Sequence, residues 1–187
     1  QEKAQKISRY AGPKEIEFAL LSIESNTGLI RTMITSKNPS INEYNRVVTS
    51  VRPLGSTFKI IPYAAALIKG TKLSDKFEDL PTCWKSYCPK NFAEEYKGRI
   101  SLVESFKSSS NIVPISITKK IGLKNIINLA NSFGLGYKQK FEEFPSLAIG
   151  SFGDNLLNIT NAYSAINNNG KIHSPSILEK IESFNKQ

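Results

Sequence analysis

The chain has 187 residues, 40% of them hydrophobic, which is enough to bury one domain-sized core and too apolar for a disordered chain. Lys and Arg outnumber Asp and Glu by 25 to 16, a formal net charge of +9. The basic residues are scattered as singles and pairs with no dense run, so the charge reads as a lysine-rich solvated surface and argues against nucleic-acid binding.

Gln1 to Lys14 is polar, lacks a signal-peptide pattern and reads as a flexible lead-in, with any leader or anchor lying outside this sequence. A single domain is expected from residue 15 to residue 187. Glu15 to Thr35 reads as an antiparallel hairpin. Phe18, Ala19, Leu20, Leu21 and Ile23 make the first strand, Ser25-Asn26-Thr27-Gly28 the turn, and the alternation of Ile30, Thr32 and Ile34 with Arg31 and Met33 the second. Lys37 to Ser50 contains breakers and is expected to be a loop. Gly55 then lets the backbone turn sharply, and Ser56 caps or opens a helix predicted to run to Lys69 and close at Gly70. That helix is apolar almost all round, which predicts burial, and Pro62 inside it predicts a kink or local irregularity.

Lys59 follows Ser56 by three residues and returns to the same face one turn along. A hydroxyl and an amine thus stand together at the positive end of a helix. A neutral amine could take the hydroxyl proton, and an oxyanion formed there would meet free backbone N–H groups, as in Ser-Lys acyl transfer. Ser-x-x-Lys alone is equally the pattern of a helix simply capped by serine.

Thr71 to Arg99 is polar, rich in Pro and aromatics, and expected to be irregular. Cys83 and Cys88 bracket Trp84-Lys85-Ser86-Tyr87. They are either a small disulfide loop in an oxidising compartment or two free loop thiols, and are too few for a structural zinc site. No metal or cofactor is expected. Ser101-Leu102-Val103-Glu104 is a capping box opening a short helix that ends at Ser108-Ser109-Ser110-Asn111. Further helices are predicted over Ile112–Ile121, Leu123–Phe133 and Asn155–Asn169, closed by Gly122, Gly134 and Gly170, which makes residues 101–170 largely helical. Ser176 to Ser183 alternates as a strand. The single histidine, His173, sits in a Gly-Lys-Ile-His-Ser-Pro turn and reads as a solvated loop residue, which leaves no support for a Ser-His-Asp triad.

Several motifs in order resemble the transpeptidase domain of penicillin-binding proteins, in particular the class A, bifunctional type. The first is Ser56-Thr57-Phe58-Lys59 within Arg52 to Lys59, followed by Tyr63-Ala64-Ala65-Ala66-Leu67. The second is Ser109-Ser110-Asn111, matching the family's Ser-x-Asn. It is preceded by Pro89-Lys90-Asn91-Phe92 and by Tyr96-Lys97-Gly98-Arg99-Ile100-Ser101-Leu102. Leu147-Ala148-Ile149-Gly150-Ser151-Phe152, Ala162-Tyr163 and Asn168-Asn169-Gly170 match in turn, so the resemblance spans about Glu17 to Glu182. Leu54 stands where the family usually has Pro, and Ile60 where it often has Pro. The family's third motif, Lys-Thr-Gly or Lys-Ser-Gly, does not occur in this sequence, whose one Thr-Gly is Thr27-Gly28 in the hairpin turn.

The resemblance implies an α+β fold of the penicillin-binding protein/serine β-lactamase kind, an antiparallel sheet with an all-helical subdomain, here without its C-terminal strands. It implies that Ser56 is the acylated nucleophile, Lys59 its base, Ser109 a proton relay to the leaving amine, and Asn111 a hydrogen-bond partner of the substrate amide. Lys59 must then have its pKa depressed by burial or a neighbouring cation. The implied partners are peptidoglycan stem peptides ending in D-Ala-D-Ala and β-lactam antibiotics. A glycosyltransferase domain and a membrane anchor are expected in the full-length protein, at the periplasmic or outer face of the cytoplasmic membrane. Two other readings compete: a truncated, inactive scaffold or binding module, and a serine β-lactamase, which the lack of an obvious Glu-containing deacylation loop disfavours.

Overall fold

A computed structural model describes residues 18–35, 44–136 and 143–182. The predicted lead-in Gln1–Lys14, the first residues of the hairpin, much of the predicted loop after Lys37 and Ser183 lie outside the described residues. The strands are β1 (Leu20–Ile23), β2 (Ile30–Ile34), β3 (Arg52–Pro53), β4 (Lys76–Asp79), β5 (Gly98–Ser101) and β6 (Gly153–Asp154). The α-helices are α1 (Arg46–Thr49), α2 (Ile60–Ile68), α3 (Leu102–Lys107), α4 (Ile112–Ile121), α5 (Leu123–Ser132) and α6 (Leu156–Asn167). Three short 3₁₀ segments, Gly55–Lys59, Phe92–Glu94 and Pro145–Ile149, join them. Among the described residues the strands form three two-stranded antiparallel pairs. The chain divides into two compact units, one of residues 1–51 with 155–187 and one of Arg52–Asp154.

In the first unit β1 and β2 pair as the sequence predicts, Leu20 opposite Ile34 and Ser22 opposite Thr32, with a register shift at Ser22/Ile23. Gly28 turns the hairpin at φ +79. A Cβ there would lie 2.8 Å from both His173 Cβ and the Ser174 carbonyl oxygen, so a side chain would collide with the 173–174 backbone. His173 is thus a packing neighbour of a turn. The Ser176 N–H donates to the Gly28 carbonyl (3.0 Å) and the Ile30 N–H to the Ser176 carbonyl (2.8 Å), so the described part of the strand predicted over Ser176–Ser183 makes a single parallel bridge. Ile177 and Ile181, the apolar side of that alternation, are exposed, and an alternation that meets no partner strand gains nothing from pairing. The predicted loop before Ser50 contains the one-turn helix α1. Asn45 caps it by accepting from the Val47 N–H at 3.0 Å, local chemistry that outweighs the breakers around it. Asn155 likewise caps α6, accepting from the Asn158 N–H at 2.8 Å, and donates through Nδ2 to the Val48 carbonyl at 3.2 Å, which ties α6 to α1.

In the second unit α2 lies against α4 and α5, with Phe58, Ile61, Leu102, Ile112, Val113, Ile115, Ile126, Leu135 and Leu147 buried. Burying such a side chain contributes about 1.5–3 kcal/mol relative to leaving it exposed. Helix α2 is buried along Ile61–Tyr63 and Ala65–Ala66, but Leu67 and Ile68 in its last turn are exposed, so burial is not all round. Its α-helical part begins at Ile60, not at the serine. Pro62 is therefore the third helical residue, where its missing N–H is one of the four that have no intrahelical partner anyway, and the irregularity is taken up by the 3₁₀ turn before it. The stretch Thr71–Arg99, expected to be irregular, contains β4 and the start of β5, with Phe77 opposite Ile100. The capping box is present in full. Ser101 Oγ accepts from the Glu104 N–H, and the Glu104 carboxylate accepts from the Ser101 N–H at 2.7 Å and its hydroxyl at 2.6 Å. These bonds hold the Glu104 carboxyl down at about pKa 2. Cys83 and Cys88 are bonded to each other, which decides the alternative the sequence left open.

Candidate active site

The serine segment is clamped from one side before it turns. Arg52 and Pro53 pair with Asp154 and Gly153, the Leu54 N–H donates to the Phe152 carbonyl at 3.0 Å, and the Gly55 N–H donates to the Gly150 carbonyl at 2.9 Å. Gly55 (φ +52) and Gly150 (φ +78) are both left-handed and cross backbone to backbone. A Cβ on Gly150 would lie 2.6 Å from Gly55 N and 2.8 Å from Gly55 C, closer still to its carbonyl oxygen. That approach requires glycine at Gly150, whereas a Cβ on Gly55 would meet nothing within 4 Å. The fully buried Phe58 ring meets Phe152 edge-on with centroids 4.7 Å apart.

Ser56 and Lys59 lie in the 3₁₀ segment Gly55–Lys59. Ser56 is its second residue and not a side-chain cap, a correction to the expected role. A 3₁₀ helix has three residues per turn, so residues i and i+3 eclipse, which stacks Ser56 and Lys59 on one face about 6 Å apart along the axis. Ser56 is exposed, whereas Lys59 is 3% exposed. The Lys59 amine donates to the Ser109 hydroxyl at 3.0 Å and to the Ser109 carbonyl at 2.6 Å. Among the described residues the Ser56 hydroxyl makes no hydrogen bond to Lys59. Burial pushes the Lys59 ammonium down to about 8 from 10.5. Near neutrality that raises the uncharged fraction by ~300-fold, since each pKa unit is a factor of ten. The depression expected of the base is thus supplied by desolvation.

The second motif is built on the C-terminus of α3. The Ser109 N–H donates to the Phe106 carbonyl and the Ser110 N–H to the Ser105 carbonyl, both at 3.0 Å. This is the double hydrogen bond of a Schellman ending, in which the residue after the cap is left-handed and is usually Gly. Here that residue is Ser109, at φ +54. A non-glycine residue there carries a strain of about 1–2 kcal/mol. The strain turns the serine hydroxyl and carbonyl together onto Lys59. Asn111, the last residue of the motif, donates its side-chain amide to the Lys90 carbonyl at 2.6 Å, and its backbone N–H to Asn91 Oδ1 at 2.8 Å.

Lys59 and Ser109 are thus brought together across 50 positions of sequence, Ser56 shares the 3₁₀ face, and Asn111 flanks them with an anchored amide. Sequence reasoning missed Asp79, which belongs to no motif, and missed any use for Ser110, the variable position of Ser-x-Asn. Gly150 and Asn91 stood in matched segments without a role. Among the described residues no group of three or more His, Cys, Asp or Glu side chains could hold a metal ion, and no helix is long and apolar enough to cross a membrane.

A serine and a buried lysine thus share one 3₁₀ turn, and the lysine meets a Ser-x-Asn turn. Residues 19–187 match the penicillin binding protein transpeptidase domain, and the chain belongs to that family. It is similar to penicillin-binding protein 1A of Rickettsia prowazekii (strain Madrid E), 29% identical over 177 residues covering 91% of this chain and 22% of that protein. Penicillin-binding protein 1A of Neisseria flavescens is 31% identical over 176 residues, 89% of this chain and 22% of that protein. The crystal structure of penicillin-binding protein 1A from Haemophilus influenzae has a TM-score of 0.82 at 30% identity, covering 89% of this chain and 25% of that one. The PonA1 protein of Mycobacterium tuberculosis, solved in complex with penicillin V, shares the fold with a TM-score of 0.81 at 18% identity, over 92% of this chain and 49% of that one. The fold is accordingly the α+β penicillin-binding protein/serine β-lactamase-like one. The chain spans about a quarter or less of the length of the penicillin-binding proteins 1A it matches.

Proposed function

We propose that this domain is the D,D-transpeptidase part of a class A, bifunctional penicillin-binding protein, which cross-links peptidoglycan stem peptides through a serine acyl-enzyme. The observation that carries this is the buried Lys59 amine, 3.0 Å from the Ser109 hydroxyl and one 3₁₀ turn from Ser56. Neutral Lys59 takes the proton of the Ser56 hydroxyl as Ser56 Oγ bonds to the carbonyl carbon before the terminal D-Ala. The tetrahedral oxyanion is met by the Ser56 N–H at the N-terminal turn. The C–N bond breaks, and the proton passes from Lys59 through the Ser109 hydroxyl to the departing D-Ala amine. The amino group of a second stem then attacks the acyl-enzyme carbonyl, its proton returns along the same path, and Ser56 is released with the cross-link formed. Asn111, whose amide is fixed by Lys90, holds the stem-peptide backbone.

β-Lactams acylate the same serine in this scheme. A glycosyltransferase domain and a membrane anchor belong to the full-length protein, facing the periplasm or the outer side of the cytoplasmic membrane. The Cys83–Cys88 disulfide supports an oxidising compartment. Incubation of the full-length gene product with a fluorescent penicillin tests the proposal: a stable label on wild type and none on Ser56→Ala is expected. No label on wild type would favour the inactive-scaffold reading, and rapid turnover of a chromogenic cephalosporin would favour a β-lactamase.

A further inference from the structure

Behind the Ser109–Asn111 turn lies a buried polar cluster that the acyl-transfer scheme does not use. Asp79, the last residue of β4, is 1% exposed. Its Oδ1 accepts from the Ser110 hydroxyl at 2.6 Å and from Asn91 Nδ2 at 2.9 Å. Its Oδ2 accepts from the same Asn91 amide at 3.1 Å and from the Lys97 N–H at 3.0 Å. A buried carboxylate is tolerated only when it is satisfied in this way. Each partner bears on the site. The Ser110 hydroxyl also accepts from the Ile112 and Val113 N–H groups, both at 3.1 Å, and so caps α4 at its entry. Asn91 turns its other amide atom, Oδ1, to the Asn111 N–H at 2.8 Å. It also donates to the Glu95 carbonyl at 3.0 Å, which closes the loop whose Lys90 carbonyl receives the Asn111 side chain. Ser109 is therefore followed by two anchored residues, Ser110 held through its hydroxyl by Asp79 and Asn111 held by Asn91 and Lys90. A strained left-handed residue persists only where its surroundings over-determine it.

We propose that Asp79 is a positioning residue of the acylation site, acting through Ser110 and through Asn91. It holds Ser109 left-handed with its hydroxyl on Lys59, and holds Asn111 in the orientation that meets substrate. Asp79 touches neither substrate nor the reacting atoms. It sets where the relay hydroxyl and the amide stand. The inference rests on the proposed acyl transfer for its kinetic consequence, but the geometry it concerns can be read without it.

The test is a double-mutant cycle on the full-length gene product, with two readouts. Acylation by a fluorescent penicillin is resolved into initial binding and the covalent step, for wild type, Asp79→Asn, Ser109→Ala and the pair. Asp79→Asn should slow the covalent step by about 10–100-fold with initial binding changed less than about threefold, because a misplacement of about 1 Å is worth about 10² in rate. In the Ser109→Ala background the same change should cost at least about threefold less than in wild type, because only its hold on Asn111 is then left to lose. Equal losses in both backgrounds, or no loss in either, overturn the proposal. A purely structural role for Asp79 predicts equal losses. The second readout is amide hydrogen exchange: Asp79→Asn should raise exchange of the Asn111 and Ile112 N–H groups at least tenfold, and unchanged protection overturns the proposal whether or not the wild type is acylated. Should Asp79→Asn fail to fold, Asn91→Ala takes its place in both measurements. Absence of label on folded wild type would count against the acyl-transfer function, and the exchange data would still decide the positioning role.

Discussion

Replacing Gly150 by alanine tests how the turn that carries Ser56 is held. The new methyl would stand 2.6 Å from Gly55 N and 2.8 Å from Gly55 C, on backbone that cannot swing aside as a side-chain tip can. Gly150 is also left-handed, at φ +78. The strain of an L-residue there is about 1–2 kcal/mol, and overpacking adds about 1–3 kcal/mol, for a loss of ~2–5 kcal/mol. At about 2–4 °C per kcal/mol for a domain of this size, the melting temperature should fall by roughly 4–20 °C. The clash lies on the residue before Ser56, and the hydrogen bond from the Gly55 N–H to the Gly150 carbonyl must stretch. Penicillin acylation should therefore fall by about 10²-fold even well below the melting temperature. Gly55→Ala is the matched control, since it is equally left-handed (φ +52) but a Cβ there meets nothing within 4 Å. It should lose only the ~1–2 kcal/mol of strain. If Gly150→Ala proves no more damaging than Gly55→Ala in either assay, the backbone crossing does not hold the turn.

Two more outcomes are expected. With Lys59 at about 8, the acylation rate should rise about tenfold from pH 6 to pH 7 and level off above about pH 8, because only the neutral amine is a base. A flat profile from pH 6 to 9 would remove Lys59 from that role. Ser109→Gly and Ser109→Ala both delete the hydroxyl proposed as the relay and should both slow acylation, but Gly relieves the left-handed strain, so Ser109→Gly should be the more stable of the two by about 1 kcal/mol in denaturant unfolding.

Local chemistry was legible along much of the chain. The Ser101/Glu104 capping box, the ends of α4 and the hairpin turn at Gly28 each follow from interactions within a few residues, and each lies where the sequence places it. The family was legible too, because Ser56, Lys59, Ser109 and Asn111 recur with their neighbours in a fixed order. The elements misread were those where two signals compete locally. Asn45 starts a helix inside a stretch rich in breakers, and Ser176–Ser183 alternates without a partner to pair with.

The sequence by itself determined which groups could do chemistry: a hydroxyl and an amine one turn apart, and a second hydroxyl with an amide two residues on. Only the tertiary structure decided their state and aim. Burial lowers the Lys59 pKa, and burial is a property of what packs around a residue. The Lys59–Ser109 contact, the Gly150–Gly55 crossing and the Asp79 cluster each join residues far apart in the chain, where no periodicity or spacing carries a signal.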